Sequence, residues 1–285
     1  MNEYIKQETF LIPGASGRNM LADLTFDVRN REAPLVVFAH GFKGFKDWGT
    51  HNLVARYFAE QGFRFLKFNF SHNGTTPEHP LDFVDLEAFS DNTFSIELED
   101  LKLVIDFATN GANFLPVKTV SLIGHSMGGG ISIIKTAEDE RVAKLITWAS
   151  VADFHNLWPK EAEAQWRLSG KQYFLNSRTN QQLPVKVTLL DDLDQNPKRL
   201  NIFLAAAEIK QPWLIVHGDA DPTVNISHAL QLNRKQPKSD LVVAPGANHT
   251  FNSNHPYLDA SLSASLEQVC EVCIGFLKED ASFNG

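Results

Sequence analysis

Val120-Ser121-Leu122-Ile123-Gly124-His125-Ser126-Met127-Gly128-Gly129-Gly130 is the stretch on which the fold turns. Val120–Ile123 reads as a short strand covered on both faces, and an apolar run beginning near Met127 reads as a helix. Between them lies Gly-x-Ser-x-Gly. A serine on so sharp a strand-to-helix turn is held in a strained conformation with its hydroxyl standing clear of the sheet. Glycines two residues to either side are needed because the turn leaves no space for Cβ atoms. The helix that starts there turns free N–H groups and the positive end of its dipole toward developing negative charge. The spacing therefore predicts Ser126 as a nucleophile.

Outward from this turn, strands alternate with helices. Glu8–Ile12 and Met20–Val28 read as an antiparallel pair around a turn at Pro13-Gly14-Ala15-Ser16-Gly17. Leu35–Ala39, Phe63–Phe70, Lys144–Trp148, Trp213–Val216 and Leu241–Ala244 complete, with Val120–Ile123, eight expected strands. Helices are expected over His51–Gln61 with Gly62 as its stop, Ser95–Asn110 closed by Gly111, and Ser261–Leu277. Such alternation predicts a mostly parallel sheet wrapped by helices, in one domain spanning residues 1–285. The interval Asp153–Lys210 breaks the rhythm, shows no clear strand, and holds Trp158, Trp166, Tyr173 and Phe174. It is expected to be an inserted lid, its aromatic residues either lining a pocket or packing the lid onto the sheet. Ser71–Thr93, with Pro77 and Pro80, is expected as a second loop on the same rim.

A serine hydroxyl is hardly ionised at neutral pH and needs a base. His249, in Gly246-Ala247-Asn248-His249 after the last expected strand, opens on the same sheet edge as Ser126. The base needs an orienting acid, and His217-Gly218-Asp219-Ala220-Asp221-Pro222 offers two. Asp221, deeper in the loop and stiffened by Pro222, is the preferred one; Asp219 would then bond backbone amides, and Asp153 stands third. Two amides are expected to receive the negative charge of a tetrahedral intermediate, Met127 N–H and Phe42 N–H, the latter in His40-Gly41-Phe42-Lys43-Gly44. His40 is expected to tie that loop down. Lys43, Lys46 and Asp47 have two readings, a cluster that meets a charged substrate and a solvated loop, of which the solvated loop is expected; His72 and His79 show no convincing metal-ligand spacing.

Composition narrows the partners. The chain has 285 residues, 43% of them hydrophobic, and a formal net charge of −8, with a pI near 5.7. An acidic surface disfavours nucleic acid and anionic membrane. The N-terminal residues carry no apolar leader, and no run approaches the roughly 18 apolar residues of a spanning helix, so a cytoplasmic protein is expected. The two cysteines, Cys270 and Cys273, are expected to be reduced thiols facing the sheet, which fits a reducing compartment. No cofactor or metal is called for.

His40-Gly41-Phe42, Gly124-His125-Ser126-Met127-Gly128-Gly129, His217-Gly218-Asp219-Ala220-Asp221 and Gly246-Ala247-Asn248-His249 together resemble the α/β-hydrolase superfamily. The likeness spans nearly the whole chain and fails across the expected lid. Within the superfamily the chain looks most like small bacterial esterases of the cinnamoyl and feruloyl type, and is also similar to the catalytic domain of prolyl-oligopeptidase-like peptidases. Those peptidases usually carry a large N-terminal propeller, for which this chain has no room. The resemblance implies Ser126 as nucleophile, His249 as base, Asp221 as acid, and Phe42 with Met127 as oxyanion donors. It implies hydrolysis of a small carboxylic ester, with short-peptide cleavage or ligand binding by a nearly silent triad as alternatives.

Overall fold

The computed structural model describes residues 2–110 and 116–279. Ten strands are present among them: β1 Ile5–Pro13, β2 Asn19–Asp27, β3 Leu35–Ala39, β4 Arg64–Phe68, β5 Val120–His125, β6 Val142–Trp148, β7 Lys171–Asn176, β8 Gln181–Lys186, β9 Trp213–Gly218 and β10 Asp240–Ala244. The helices are α1 His51–Glu60, α2 Leu86–Asp91, α3 Phe94–Asn110, α4 Met127–Glu138, α5 Ala162–Ser169, α6 Thr188–Gln195, α7 Ile202–Glu208, α8 Ser227–Lys235 and α9 Ala264–Lys278. Gly111, the expected stop of α3, lies outside the described residues. Among the described residues no helix is long and apolar enough to cross a membrane.

Eight strands form one sheet in the order β1-β2-β4-β3-β5-β6-β9-β10. The β1–β2 and β2–β4 pairs are antiparallel, and every pairing from β4 to β10 is parallel. Alternation of side chains along a strand sends successive residues to opposite faces. In β3, Leu35, Val37 and Ala39 join one buried cluster while Val36 and Phe38 join the other. Both faces are thus covered, which explains why the parallel strands read as continuous apolar runs. Cys270 and Cys273 on α9 belong to the second cluster, and Trp148 Nε1 donates to Cys273 Sγ at 3.3 Å.

From β3 the chain passes to β4 on one side, and from β5 to β6 on the other. In open α/β sheets the crevice at such a reversal, outside the C-terminal strand ends, is where ligands bind. The loop beginning at His40 and the turn carrying Ser126 leave these two strands there.

Residues 153–210 differ from expectation in one respect: they contain the antiparallel hairpin β7–β8. Its residues show no clean alternation, Tyr173 and Leu175 are exposed, and Pro184 sits within β8. Such a half-solvated two-stranded ribbon leaves a weak sequence signature. The hairpin packs through β8 on α2, while α7 packs on α4 in the layer flanking the sheet.

Candidate active site

Ser126 sits between β5 and α4 with φ 56° and ψ −119°. For a residue with a Cβ this is a costly conformation, on the order of 1–3 kcal/mol. It is enforced by close packing. A Cβ on Gly124 would strike the carbonyl of Gly128, and one on Gly128 would strike the carbonyls of Ala39 and His40. Backbone bonds pin the turn further: Ser126 N–H donates to Trp148 O at 2.8 Å, and Ser126 O accepts from Gly129 N–H at 3.0 Å. Met127, as first residue of α4, has an amide with no partner in the helix's own ladder.

Asp221 and His249 come from the loops after β9 and β10. Asp221 Oδ2 lies 2.7 Å from His249 Nδ1, and its Oδ1 accepts from the amides of Thr223 and Val224 at 2.8 and 2.9 Å. The Asp221 side chain has no solvent exposure, and His217 Nε2 lies 3.3 Å from Oδ2. Burial alone would raise its pKa; hydrogen bonds from His217 and His249 outweigh burial and hold the carboxyl well below the usual range. A carboxylate at Nδ1 selects the tautomer whose Nε2 is free to accept a proton. Asp219 instead accepts from Gly246 N–H at 2.6 Å, and Asp153 accepts from His155 N–H at 3.0 Å.

His125 has a part that sequence reasoning missed. Its Nε2 donates to His249 O at 2.9 Å, and the two rings lie 4.8 Å apart. Burial, reinforced by His249, pushes its pKa down to about 3, so it is neutral. The only signal in the sequence is its place inside Gly-x-Ser-x-Gly.

The loop after β3 closes on the serine. A Cβ on Gly41 would lie 3.0 Å from Ser126 Cβ, so Phe42 is delivered beside the turn that carries Ser126. His40 Nδ1 donates to Gly41 O at 3.0 Å, while its Nε2 accepts from Phe70 N–H at 3.4 Å. Burial pushes the His40 pKa to about 4. One expectation for this loop is overturned. Lys46 is 4% exposed rather than solvated. Its ammonium donates to Asp23 and Asp47, and Lys67 Nζ donates to the same two carboxylates. Two lysines and two aspartates compensate one another in a buried cluster, a pairing that spans β2, β4 and residue 47 and has no local signature.

Ser126 and His249 line one cavity of about 700 Å³ together with the His40–Phe45 loop, Trp48, Phe83 and the hairpin tip at Asn176–Arg178. The aromatic residues of segment 153–210 mostly pack rather than line it. Trp158 and Trp166 meet at 5.3 Å, Trp166 and Phe174 at 5.7 Å, and Phe174 meets Phe42 at 5.3 Å.

Residues 36–260 match the model of a family described as the Alpha/beta hydrolase family. The chain belongs to the α/β-hydrolase family. No curated protein matches it. Among solved structures, this α/β-hydrolase is similar to Est1E from Butyrivibrio proteoclasticus with ferulic acid bound, at 20% identity and a TM-score of 0.71, covering 94% of this chain and 98% of that one. It is similar to the esterase domain of a Rhodothermus marinus protein at 20% identity and a TM-score of 0.65, covering 95% and 97%. It is also similar to a puromycin-hydrolyzing peptidase of Mycobacterium tuberculosis at 16% identity and a TM-score of 0.69, covering 100% of this α/β-hydrolase and 41% of the peptidase. At these identities the likeness establishes the fold.

Proposed function

We propose that this α/β-hydrolase is a serine hydrolase that cleaves small carboxylic esters through an acyl-enzyme, with residues 153–210 as a lid on one catalytic domain of residues 1–285. The observation that carries the reading is the 2.7 Å bond from Asp221 to His249 in a cavity that His249 shares with Ser126. Ser126 Oγ adds to the ester carbonyl carbon while His249 Nε2 takes its proton. The carbonyl π electrons move to oxygen, which the amides of Phe42 and Met127 stabilise. Collapse expels the alcohol oxygen, protonated by His249, and leaves the acyl group on Ser126. Water then attacks the acyl carbon with His249 again as base, releasing the acid and restoring the hydroxyl. Asp221 stays ionised throughout and stabilises the imidazolium. The buried cysteines fit a reducing, cytoplasmic setting, and the acidic surface favours neither nucleic acid nor anionic membrane as partner.

Fluorophosphonate labelling located by mass spectrometry should place the adduct on Ser126. Ser126→Ala should lower ester turnover on the order of 10⁵-fold or more; wild-type turnover by that variant would refute the proposal. The likeness to the puromycin-hydrolyzing peptidase supports a second reading, cleavage of short peptides. Faster turnover of aminoacyl amides than of simple esters would favour it.

A further inference from the structure

We propose that the cavity selects esters bearing an anionic group, a carboxylate being the simplest, held by Arg178 and Lys43. This rests on the esterase reading above and names its substrate class. Lys43 and Arg178 both line the cavity, and among the described residues no Asp or Glu lines it. Asp221 is shielded behind His249, with no side-chain exposure. Burial lowers the pKa of the lining histidines His40, His51, His125 and His255. The cavity is thus cationic in a chain whose net charge is −8.

Neither cation has a buried carboxylate partner among the described residues; Lys43 Nζ lies 6.0 Å from the centre of the Phe42 ring and the Arg178 guanidinium 6.0 Å from that of Phe45, the far limit of a cation–π contact. Lys43 adopts φ 57°, in the left-handed region unfavourable to a residue with a Cβ. Its Nζ donates to Leu175 O at 3.2 Å, a neutral acceptor, and burial lowers its pKa. Arg178, three residues beyond Leu175, donates to Leu81 O at 3.2 Å. The carboxylate paired with it, Asp82, is 3.6 Å away with a 61% exposed side chain. An exposed pair of that kind is weak and screened by solvent. The guanidinium keeps further N–H donors in the planar fork that matches a carboxylate. A cation in a half-enclosed site is costly without a counter-charge, and an anionic substrate provides one to both residues.

Two ester pairs test the idea. In the first, 4-acetoxybenzoate against 4-acetoxybenzamide, the charge is on the alcohol side. In the second, monoethyl terephthalate against ethyl 4-carbamoylbenzoate, it is on the acyl side. Within at least one pair the wild-type kcat/KM should favour the charged ester, and Arg178→Gln should lower the charged-to-neutral ratio about tenfold, the worth of one charge-assisted hydrogen bond. Lys43→Gln should lower the same ratio, Arg178→Lys should lower it less, and added salt should erode it. If the two residues merely brace the lid, both members of a pair change together and the ratio is constant, which overturns the proposal. Calorimetric binding of monoethyl terephthalate and its neutral counterpart to Ser126→Ala protein separates this failure from that of the esterase reading. Preference for the anion, lost in the Ser126→Ala/Arg178→Gln double variant, supports the anion site even if no ester is turned over. Equal binding of the two refutes it even if simple esters are hydrolysed.

Discussion

The bond from His125 to the carbonyl of His249 fixes the backbone that carries the proposed base to the turn that carries the proposed nucleophile. Losing it would leave binding intact but loosen the alignment on which proton transfer depends. His125→Phe should therefore lower kcat about tenfold, the worth of one ordinary hydrogen bond, with KM little moved. His125→Gln, which retains a donor, should recover part of the loss. Steady-state kinetics on one ester check both; an unchanged kcat in the phenylalanine variant would remove His125 from the mechanism. Ser126, Asp221 and His249 were legible because each lies in a short string at a strand end, where spacing alone says what is adjacent. His125 stands in the most legible string of all, yet its partner is a backbone carbonyl in another loop, and no side-chain pattern announces that. Lys46 was misread for a related reason, since the carboxylate of Asp23 that pairs with it is on strand β2, far from this loop in sequence.

Helix α3 carries two carboxyls out of water. Glu97 is 1% exposed, accepts from Asn92 Nδ2 at 2.7 Å, and has its second oxygen without a partner. Burial, the largest influence, pushes its pKa up to about 8. Below the unfolded value of 4.5 both states hold the proton and stability is unaffected. From there to about 8 the unfolded chain releases the proton while the native chain keeps it, so stability falls as pH rises. Asp100, pushed by burial to about 6, adds a decline of the same sign at lower pH. Glu97→Gln should flatten the first of these declines. Urea unfolding at about pH 5 and about pH 8.5 should show the variant gaining on the parent with pH, by on the order of 4 kcal/mol. A constant gap would mean that Glu97 titrates normally. At this scale the sequence revealed elements that are buried on both sides or strongly periodic, such as β3, β5, α3 and α9. It hid the β7–β8 hairpin, whose mixture of exposed apolar and polar residues obeys neither the strand nor the helix period.

Across the whole molecule, the Asp23, Lys46, Asp47 and Lys67 cluster joins strands β2 and β4 to the loop that follows β3. Lys67 is fully buried, so Lys67→Met would leave two carboxylates sharing one ammonium away from water. A loss of about 3–5 kcal/mol is expected, which lowers the melting temperature on the order of 10 °C. Differential scanning fluorimetry checks it, and a variant as stable as the parent would show that the cluster admits water. The alternation of elements made the parallel sheet legible; the buried charges were not, because compensation between distant strands is a property of the folded chain alone. One joint has a longer reach. Phe174 and Leu175 of the hairpin hold Phe42 and Lys43 of the loop beside Ser126, ring to ring and carbonyl to ammonium. A hairpin rewritten for a new substrate would therefore pull on residues 42 and 43 as well, and one transplanted without them would arrive as a foreign graft.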